Sequence, residues 1–206
     1  MWGLIFLHSV DDTNKPADYL DLNARDFPEK EALVDSRTRL TFHQAKLQSD
    51  LLALALIRKG PGKGHVVLVQ LPNVVEDYIV RSALPKAGLV GLYMTMNIRH
   101  TEIEYAVKQT EAAAVITIAE SHSFDYYHMF QEIQSICPSL KHIFIVGNQI
   151  PHDAVSISKM IEQAIDEKYP FNLLNEFKIQ PGELLTLKMT SGTTGIPKLV
   201  ASVRHS

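Results

Sequence analysis

The residues best suited to chemistry lie close together near the carboxyl end of the sequence, at positions 190–198. This segment reads TSGTTGIPK and directly follows an apolar run at positions 184–189. Glycines let a backbone approach a ligand closely and turn successive N–H groups toward an anion. Hydroxyl groups donate further hydrogen bonds, and a lysine supplies a compact positive charge. The residue types and their spacing therefore favour a loop that binds phosphate.

The segment differs from the two best-known phosphate-binding motifs. A P-loop requires G-x-x-x-x-G-K-[ST], but Ile196 and Pro197 separate Gly195 from Lys198 here. No G-x-G-x-x-G opens a helix either, so the segment is not a dinucleotide-binding fingerprint. An ordinary polar turn after a strand is the alternative, because Ser, Thr and Gly are frequent turn residues.

Apolar runs alternate with amphipathic stretches along the rest of the chain. Continuous apolar runs, such as residues 66–69, are typical of strands that are buried on both faces. This alternation predicts an α/β fold with a largely parallel sheet flanked by helices. Ligands of such sheets bind at the carboxyl ends of strands, which is where residues 190–198 would lie. The predicted strands cover residues 32–34, 39–42, 66–69, 89–93, 113–118, 142–146 and 184–189.

Capping signals and apolar stripes indicate where the helices begin and which faces they bury. Thr41 and Thr101 each precede a Gln or Glu by three residues, which is the spacing of a capping box. Asn73 is predicted to cap the next helix, and Pro85 to end or kink it. Two further stretches, 124–136 and 157–165, are predicted helices. The expected inward faces carry Leu47, Leu51, Leu54 and Ile57; Ile103, Ala106, Val107 and Thr110; and Ile157, Met160, Ile161, Ala164 and Ile165.

The composition argues against some classes of partner and compartment. The formal net charge is −3, with 46% hydrophobic and 21% charged residues. This weakly acidic balance argues against nucleic acid as a partner, because phosphate backbones require a basic stripe. Cys137 is the single cysteine, which excludes an internal disulfide and favours a reducing, cytoplasmic location. The apolar residues 1–7 lack a basic region before them and are too short for a membrane span.

Other polar or aromatic groups along the chain have a simpler structural interpretation. His122, Asp125 and His128 could suggest a metal site, but zinc ligands normally pair more tightly and need a further cluster. Helix-side histidines are therefore favoured, and no metal ligand is assigned. Glu102 and Glu104, near Arg99 and His100, could suggest acid–base chemistry, but helix capping explains them better. Tyr126 and Tyr127 could form a stacking platform for a base, but core or surface aromatics are favoured.

The whole of segment 190–198 resembles the signature [ST]-S-G-[ST]-[ST]-G-x-P-K of the adenylate-forming ligases. This superfamily includes acyl-CoA synthetases, aryl-acid AMP ligases, luciferases and peptide-synthetase adenylation domains. Weaker matches occur upstream in the order typical of the family, and the resemblance covers roughly residues 15–200. These upstream matches are Leu71-Pro72-Asn73, Tyr78, Lys86-Ala87-Gly88, Asn97, Glu104-Tyr105 and Thr110-Glu111-Ala112.

The resemblance implies ATP-dependent activation of a small carboxylic acid to an acyl-adenylate, followed by transfer to a thiol such as CoA. Mg²⁺ would accompany ATP, although its ligands are not in this chain. Lys198 is the implied catalytic residue. The implied ATP phosphate-binding residues are Thr190, Ser191, Gly192, Thr193, Thr194, Gly195 and Lys198.

Three positions depart from the family pattern. Leu199 replaces the glycine that usually follows the loop lysine, and the resulting P-K-L-V resembles the aryl-acid AMP ligases. Arg204 stands where many members have histidine, and Pro85 where leucine is usual. These departures leave the loop chemistry intact and concern the class of acid.

The resemblance also predicts a domain organisation. Residues 1–206 would form the N-terminal portion of an adenylation domain, with an extension and anchor at 1–30 and an α/β subdomain at 31–180. Residues 181–206 would begin the next subdomain with a strand and the phosphate-binding loop. The chain alone is then expected to be inactive and to self-associate through an exposed sheet edge. The alternatives are a non-catalytic nucleotide-binding or interaction module with the ligase fold, and an unrelated α/β protein with a chance loop.

Overall fold

A computed structural model describes residues 16–190 and 198–204 of the 206-residue chain. Strands and helices alternate through most of this range, as the sequence predicts. The helices are α1 (Pro16–Asp26), α2 (Phe42–Lys59), α3 (Val75–Lys86), α4 (His100–Thr110), α5 (Tyr126–Ile136), α6 (Ile157–Asp166) and α7 (Leu173–Phe177). The strands are β1 (Glu31–Val34), β2 (Arg39–Thr41), β3 (Val66–Gln70), β4 (Val90–Tyr93), β5 (Ala114–Ile118), β6 (Glu120–Ser121), β7 (Phe124–Asp125), β8 (His142–Val146), β9 (Val155–Ser156), β10 (Leu184–Thr190) and β11 (Lys198–Val203).

One seven-stranded sheet organises the described part of the chain, in the order β11-β10-β4-β3-β5-β8-β9. All neighbours are parallel except β11, which runs antiparallel to β10. β1 with β2 and β6 with β7 form two small antiparallel hairpins outside this sheet. The predicted α/β class with a largely parallel sheet is therefore confirmed. β10 and β11 continue the same sheet, and the assignment of residues 181–206 to a further subdomain stays a prediction.

Each face of the sheet packs against its own set of helices. Helices α2, α3 and α6 contribute to one apolar core, in which Val67 and Val69 of β3 are buried. Helices α4 and α5 contribute to the other core, in which Leu68 is buried. Burial on both faces explains why β3 is apolar over residues 66–69, because neither side of this strand meets water.

The connections that leave two neighbouring strands, β3 and β5, pass over opposite faces of the sheet and lead to opposite sides. The helix that follows β3 is α3, on one face, whereas the helix that follows β5 is α5, on the other. The connections therefore leave the carboxyl ends of β3 and β5 in opposite directions. In open α/β sheets such a topological switch point opens a crevice where ligands bind.

The capping signals gave one correct and two incorrect predictions. Thr41 forms the predicted capping box: its hydroxyl accepts from the Gln44 N–H, and the Gln44 side chain accepts from the Thr41 N–H. Thr101 does not cap, because α4 already begins at His100 after Arg99. Asn73 does not cap α3 either, since Val74 is the residue before that helix.

Several boundaries and inward faces agree with the sequence, and a few side chains do not. Helix α3 ends one residue after Pro85, as predicted, and α2 ends at Lys59, directly before Gly60. Leu47 and Ile165 lie on helix faces that were expected to be buried, yet they are 40% and 55% exposed. The connector before Pro181 also contains the short helix α7, which its polar composition did not predict.

No helix within residues 16–190 and 198–204 is both long and apolar enough to cross a membrane.

Candidate active site at the carboxyl edge of the sheet

The ends of the predicted phosphate-binding loop are held together by the β10–β11 hairpin. Thr190 is the last residue of β10 and Lys198 the first of β11, and the two are directly paired in the antiparallel register. Five of the predicted phosphate-binding residues, Ser191, Gly192, Thr193, Thr194 and Gly195, lie outside the described residues. The hairpin places the two residues that flank positions 191–197 next to each other at one edge of the sheet.

This hairpin is joined to the parallel sheet through β4. Leu187 of β10 pairs with Leu92 of β4, and Lys188 pairs with Tyr93. The strands run in the same direction, so Thr190 and the residue after Tyr93 lie at the same edge. The sequence-based expectation that residues 190–198 follow a carboxyl strand end is thus supported by the position of β10.

Two buried polar residues at this edge were not predicted from the sequence. Gln70 ends β3 and Thr117 lies next to it on β5, in direct register, and both side chains are fully buried. The Thr117 hydroxyl donates to the backbone oxygen of Gln70 at 3.1 Å. A glutamine that ends an otherwise apolar strand is a signal that could have identified Gln70, because buried amides are costly unless they are hydrogen-bonded.

A cation–π stack lies on the α3 side of the same edge. The Arg81 guanidinium lies 4.0 Å from the centre of the Tyr93 ring and donates to Asp77 Oδ2 at 2.7 Å. Burial raises the pKa of the Tyr93 hydroxyl above its usual value, although the Arg81 charge opposes this shift. Burial also raises the pKa of Asp77, and Arg81 again opposes the shift. Tyr93 is therefore neutral at pH 7 and contributes packing rather than charge.

Tyr93 also explains a glycine in β4. A Cβ atom placed on Gly91 would come within 2.4 Å of the Tyr93 hydroxyl oxygen, which lies over this residue. Gly91 pairs with Thr186 of β10, so this close packing occurs on the strand that lies next to the hairpin. A side chain at position 91 would displace Tyr93 from its stack.

Cavities open at both edges of the sheet. One cavity of about 430 Å³ lies at the carboxyl edge, between the ends of β3, β5 and β8, and includes Pro72, Ala119 and Gly147 in its wall. Its position coincides with the switch point described above. A larger cavity of about 570 Å³ lies at the opposite, amino edge, near His65 and His142. Only the first lies at the edge from which residues 190–198 emerge.

The histidine group considered as a metal site has a structural role. Asp125 caps α5 by accepting from the His128 N–H at 2.8 Å, and His128 Nε2 lies 3.5 Å from Glu132. His122 lies in the β6–β7 turn with a positive φ of 49°. Within the described ranges, no group of three or more His, Cys, Asp or Glu side chains is placed to hold a metal ion.

A comparison with protein families matches residues 20–204 to the AMP-binding enzyme family. Among curated proteins, the chain is 28% identical over 184 residues to a 2-hydroxy-7-methoxy-5-methyl-1-naphthoate–CoA ligase of Streptomyces carzinostaticus. The aligned region covers 88% of this chain and 33% of that protein. The chain is 26% identical to the 2,3-dihydroxybenzoate-AMP ligase of Bacillus subtilis (strain 168), and here the aligned region covers 89% of this chain and 32% of that protein. The chain thus spans about a third of the length of these relatives.

Solved structures share the fold. The apo structure of Mycobacterium smegmatis MbtA superposes with a TM-score of 0.81 at 24% identity, over 94% of this chain and 34% of that one. The anthranilate CoA ligase AuaEII, in complex with anthranoyl-AMP, superposes with a TM-score of 0.79 at 21% identity, over 95% of this chain and 36% of that one.

The family match extends through β10 and β11, so it includes the 190–198 signature together with the strands that position it. This chain therefore belongs to the AMP-binding enzyme family.

Proposed function

We propose that this protein takes part in the ATP-dependent activation of a carboxylic acid to an acyl-adenylate, and that residues 190–198 bind the ATP phosphates. The observation that carries the proposal is the direct pairing of Thr190 with Lys198 at the carboxyl edge of a family-typical sheet. Both ends of the signature are anchored in strands, which gives a phosphate-binding loop a fixed base.

The chemistry explains why a phosphate-binding loop is needed. A carboxylate is a poor electrophile, because its leaving group would be oxide. Attack of a carboxylate oxygen on the α-phosphorus of ATP forms an acyl–phosphate bond and breaks the bond to pyrophosphate, which departs with its negative charge. A thiolate then attacks the carbonyl carbon and AMP leaves. Catalysis of the first step consists largely of holding the polyphosphate and stabilising the departing charge.

Each residue type in the loop has a role in this proposal. Hydroxyls of Ser191, Thr193 and Thr194 donate to the β and γ phosphates, together with backbone N–H groups. Gly192 and Gly195 allow close approach of the backbone. The Lys198 side chain adds a positive charge near the pyrophosphate. Mg²⁺ bound to ATP would neutralise further charge, and no residue is assigned as its protein ligand.

We propose an aromatic acid as the substrate class. Leu199 after the loop lysine resembles the aryl-acid subgroup, and the relatives named above are ligases of a naphthoate and of 2,3-dihydroxybenzoate. CoA or another thiol would be the acceptor, and the cytoplasm would be the location. Nucleic acid is not a proposed partner, given the net charge of −3.

Acid-dependent exchange of labelled pyrophosphate into ATP tests the proposed function. Substituted benzoates and naphthoates are compared with short and long fatty acids, using both the 206-residue chain and a form that extends beyond Ser206. We expect exchange with aromatic acids in the longer form and none in the chain by itself. Exchange that is equally fast without any acid, or absent from every form, would contradict the proposed activity.

Lys198→Ala tests the role of the loop in the active form. Loss of a charge-assisted contact is worth about 1.5–3 kcal/mol, so we expect exchange to slow about ten- to a hundredfold. Gly192→Val should be slower still, since a β-branched side chain obstructs phosphate approach and disfavours positive φ. The thiol step, started from supplied acyl-adenylate, should change less and serves as the internal control. Parental exchange rates in both variants would show that residues 190–198 are only a turn.

A further inference from the structure

The loop next to the hairpin, residues 94–99 between β4 and α4, is called the β4–α4 loop. β4 is the direct neighbour of β10, with Tyr93 paired with Lys188. Parallel strands lie about 4.8 Å apart, so the β4–α4 loop leaves the sheet beside the end of β10. Residues 190–198 continue from that end, which places the β4–α4 loop at the border of the proposed ATP site.

Side chains from two other elements hold the backbone of the β4–α4 loop. Gln70 Nε2 donates to the carbonyl oxygens of Thr95 at 2.9 Å and of Ile98 at 3.0 Å. The Tyr126 hydroxyl of α5 donates to the carbonyl oxygen of Met96 at 2.7 Å. The carbonyls of an irregular loop would otherwise need water, so these bonds fix the loop against the sheet.

Arg99 adds a second attachment to α5. Its guanidinium donates to the carbonyl oxygens of Met96 and Ile98, the latter at 2.9 Å. The same group lies 4.1 Å from the centre of the Phe124 ring and 5.3 Å from that of Tyr126. Cation–π contacts of this kind restrict the planar guanidinium to one orientation. The loop is therefore held from both β3 and the start of α5.

Gln70 holds the loop through its amide nitrogen, while its Oε1 atom is buried without a hydrogen-bond partner among the described residues. Both hydrogens of its amide nitrogen are donated to loop carbonyls, and the side chain is completely buried. A methionine of similar size would leave the carbonyls of Thr95 and Ile98 without these donors, and a glutamate would place carboxylate oxygens against them. Neither replacement both fits the core and holds the loop.

The outer side of the loop presents polar groups. Thr95 and Asn97 are exposed, and the Thr95 hydroxyl donates to Asn97 Oδ1. This contact orients the Asn97 amide through its oxygen and leaves the Nδ2 hydrogens to donate elsewhere. An amide N–H group held on a rigid loop is suited to an anionic ligand.

We propose that the β4–α4 loop is a fixed wall of the ATP site, with Asn97 donating to the polyphosphate and Gln70 acting as the positioning residue that holds the wall. This inference rests on the proposed function, because it takes ATP as the ligand. A wall that does not move keeps the Asn97 donor in place when pyrophosphate begins to leave, which is the advantage of a preorganised site.

Steady-state exchange kinetics with separate titration of ATP and acid test the proposal, in a form of the protein that shows acid-dependent exchange. We expect Asn97→Ala to raise KM for ATP about tenfold, as is typical for loss of a hydrogen bond to a charged group. Asn97→Asp, which adds a negative charge, should raise it further. KM for the acid and the melting temperature should stay unchanged in both variants, because the Asn97 side chain is exposed.

Gln70→Met tests the positioning role, with Thr117→Val as the matched control. Thr117 is equally buried beside Gln70 but donates to its backbone oxygen and not to the loop. We expect Gln70→Met to lower kcat/KM for ATP about tenfold, with KM for the acid within about twofold, because two loop bonds are lost. Thr117→Val should lower the melting temperature without this kinetic change.

The possible results separate this inference from the proposed function. If the wild type shows acid-dependent exchange and Asn97→Ala has an unchanged KM for ATP, the proposed role of the β4–α4 loop is refuted and the proposed function stands. Equal kinetic losses in Gln70→Met and Thr117→Val overturn the positioning role. If Gln70→Met does not fold, the KM for ATP of the two Asn97 variants alone tests whether the β4–α4 loop contacts ATP. No acid-dependent exchange in any wild-type form overturns both proposals.

Discussion

At the residue scale, the least expected feature is a buried group of charges between three helices. Lys86 of α3 is 6% exposed and donates to Asp50 of α2 and Asp21 of α1, each at 2.6 Å. Its ammonium also donates to the Ser49 hydroxyl at 3.2 Å, and Lys46 pairs with the other oxygen of Asp50. The three donor hydrogens of Lys86 are thus used, and α1 is tied to the core by an ion pair.

Lys86→Met should destabilise the protein strongly. The variant leaves the Asp50 carboxylate buried with Lys46 as its remaining charged partner, and breaking a buried pair in this way costs about 3–5 kcal/mol. Urea or thermal unfolding followed by circular dichroism measures the change.

Lys108→Met is the matched control for the Lys86 variant. Lys108 pairs with Glu104 on the exposed surface of α4, where the pair is open to solvent and screened by salt. We expect its unfolding midpoint to equal that of the wild type. Similar midpoints for Lys86→Met and Lys108→Met would show that the buried charges contribute no more than surface ones.

At the element scale, α3 begins without a side-chain cap from the residue that precedes it, Val74. The side chain of Asp35, in the β1–β2 turn, accepts from the Val75 N–H at 3.0 Å and from the N–H groups of Arg37 and Thr38 at 2.8 Å each. Desolvation acts to raise the pKa of Asp35, but these three N–H groups together hold the pKa below its ordinary value of 3.8. One carboxylate therefore stabilises both a turn and a distant helix.

Asp35→Ala should cost about 1 kcal/mol of stability at neutral pH, the usual effect of losing a helix cap. The pKa of Asp35 is lower in the folded state, so its contribution is complete above 3.8 and is lost as the pH falls through the folded-state value. Denaturant unfolding at a series of pH values measures the difference between wild type and variant.

Asp125→Ala removes an exposed cap of α5 and shows what an ordinary local cap contributes. A difference between wild type and Asp35→Ala that grows as the pH falls below 3.8 would contradict the assigned role of the carboxylate.

At the scale of the whole molecule, the sheet has one long edge. Within the described part of the chain, β11 pairs with β10 and no other strand covers its outer side. Val200 and Val203 on this strand are 49% and 41% exposed. The opposite edge, β9, is only two residues long. A long edge strand with exposed apolar side chains is a template for pairing with another chain.

The 206-residue chain is therefore predicted to self-associate through β11. Val200→Lys should shift the population toward monomer, because a charged side chain on an edge strand disfavours pairing. Ile136→Lys, at a 53% exposed position on α5, is the matched control and should leave the association unchanged. Sedimentation velocity over a range of concentrations gives the distribution. A wild-type chain that stays monomeric at high concentration would refute this prediction.

Local patterns alone were enough to predict much of the architecture. Apolar runs indicated β3, β5 and β8, and the capping box at Thr41 indicated the start of α2. The 190–198 signature indicated the family, which the family match over residues 20–204 confirms. It also indicated the edge of the sheet where the loop begins. Such features depend on residues that are close in sequence, since turn chemistry, helix caps and strand burial are encoded within a few positions.

Only the tertiary structure decided which distant residues meet. In the sequence, Gln70 is only the polar end of an apolar strand. In the structure, its side chain donates to carbonyl oxygens of residues 94–99, which lie between β4 and α4. Asp35 replaces Asn73 as the cap of α3 because the β1–β2 turn packs there, forty positions away in sequence. Lys86 finds its carboxylates on two other helices. Contacts of this kind depend on strand order and helix layer, which no local periodicity records.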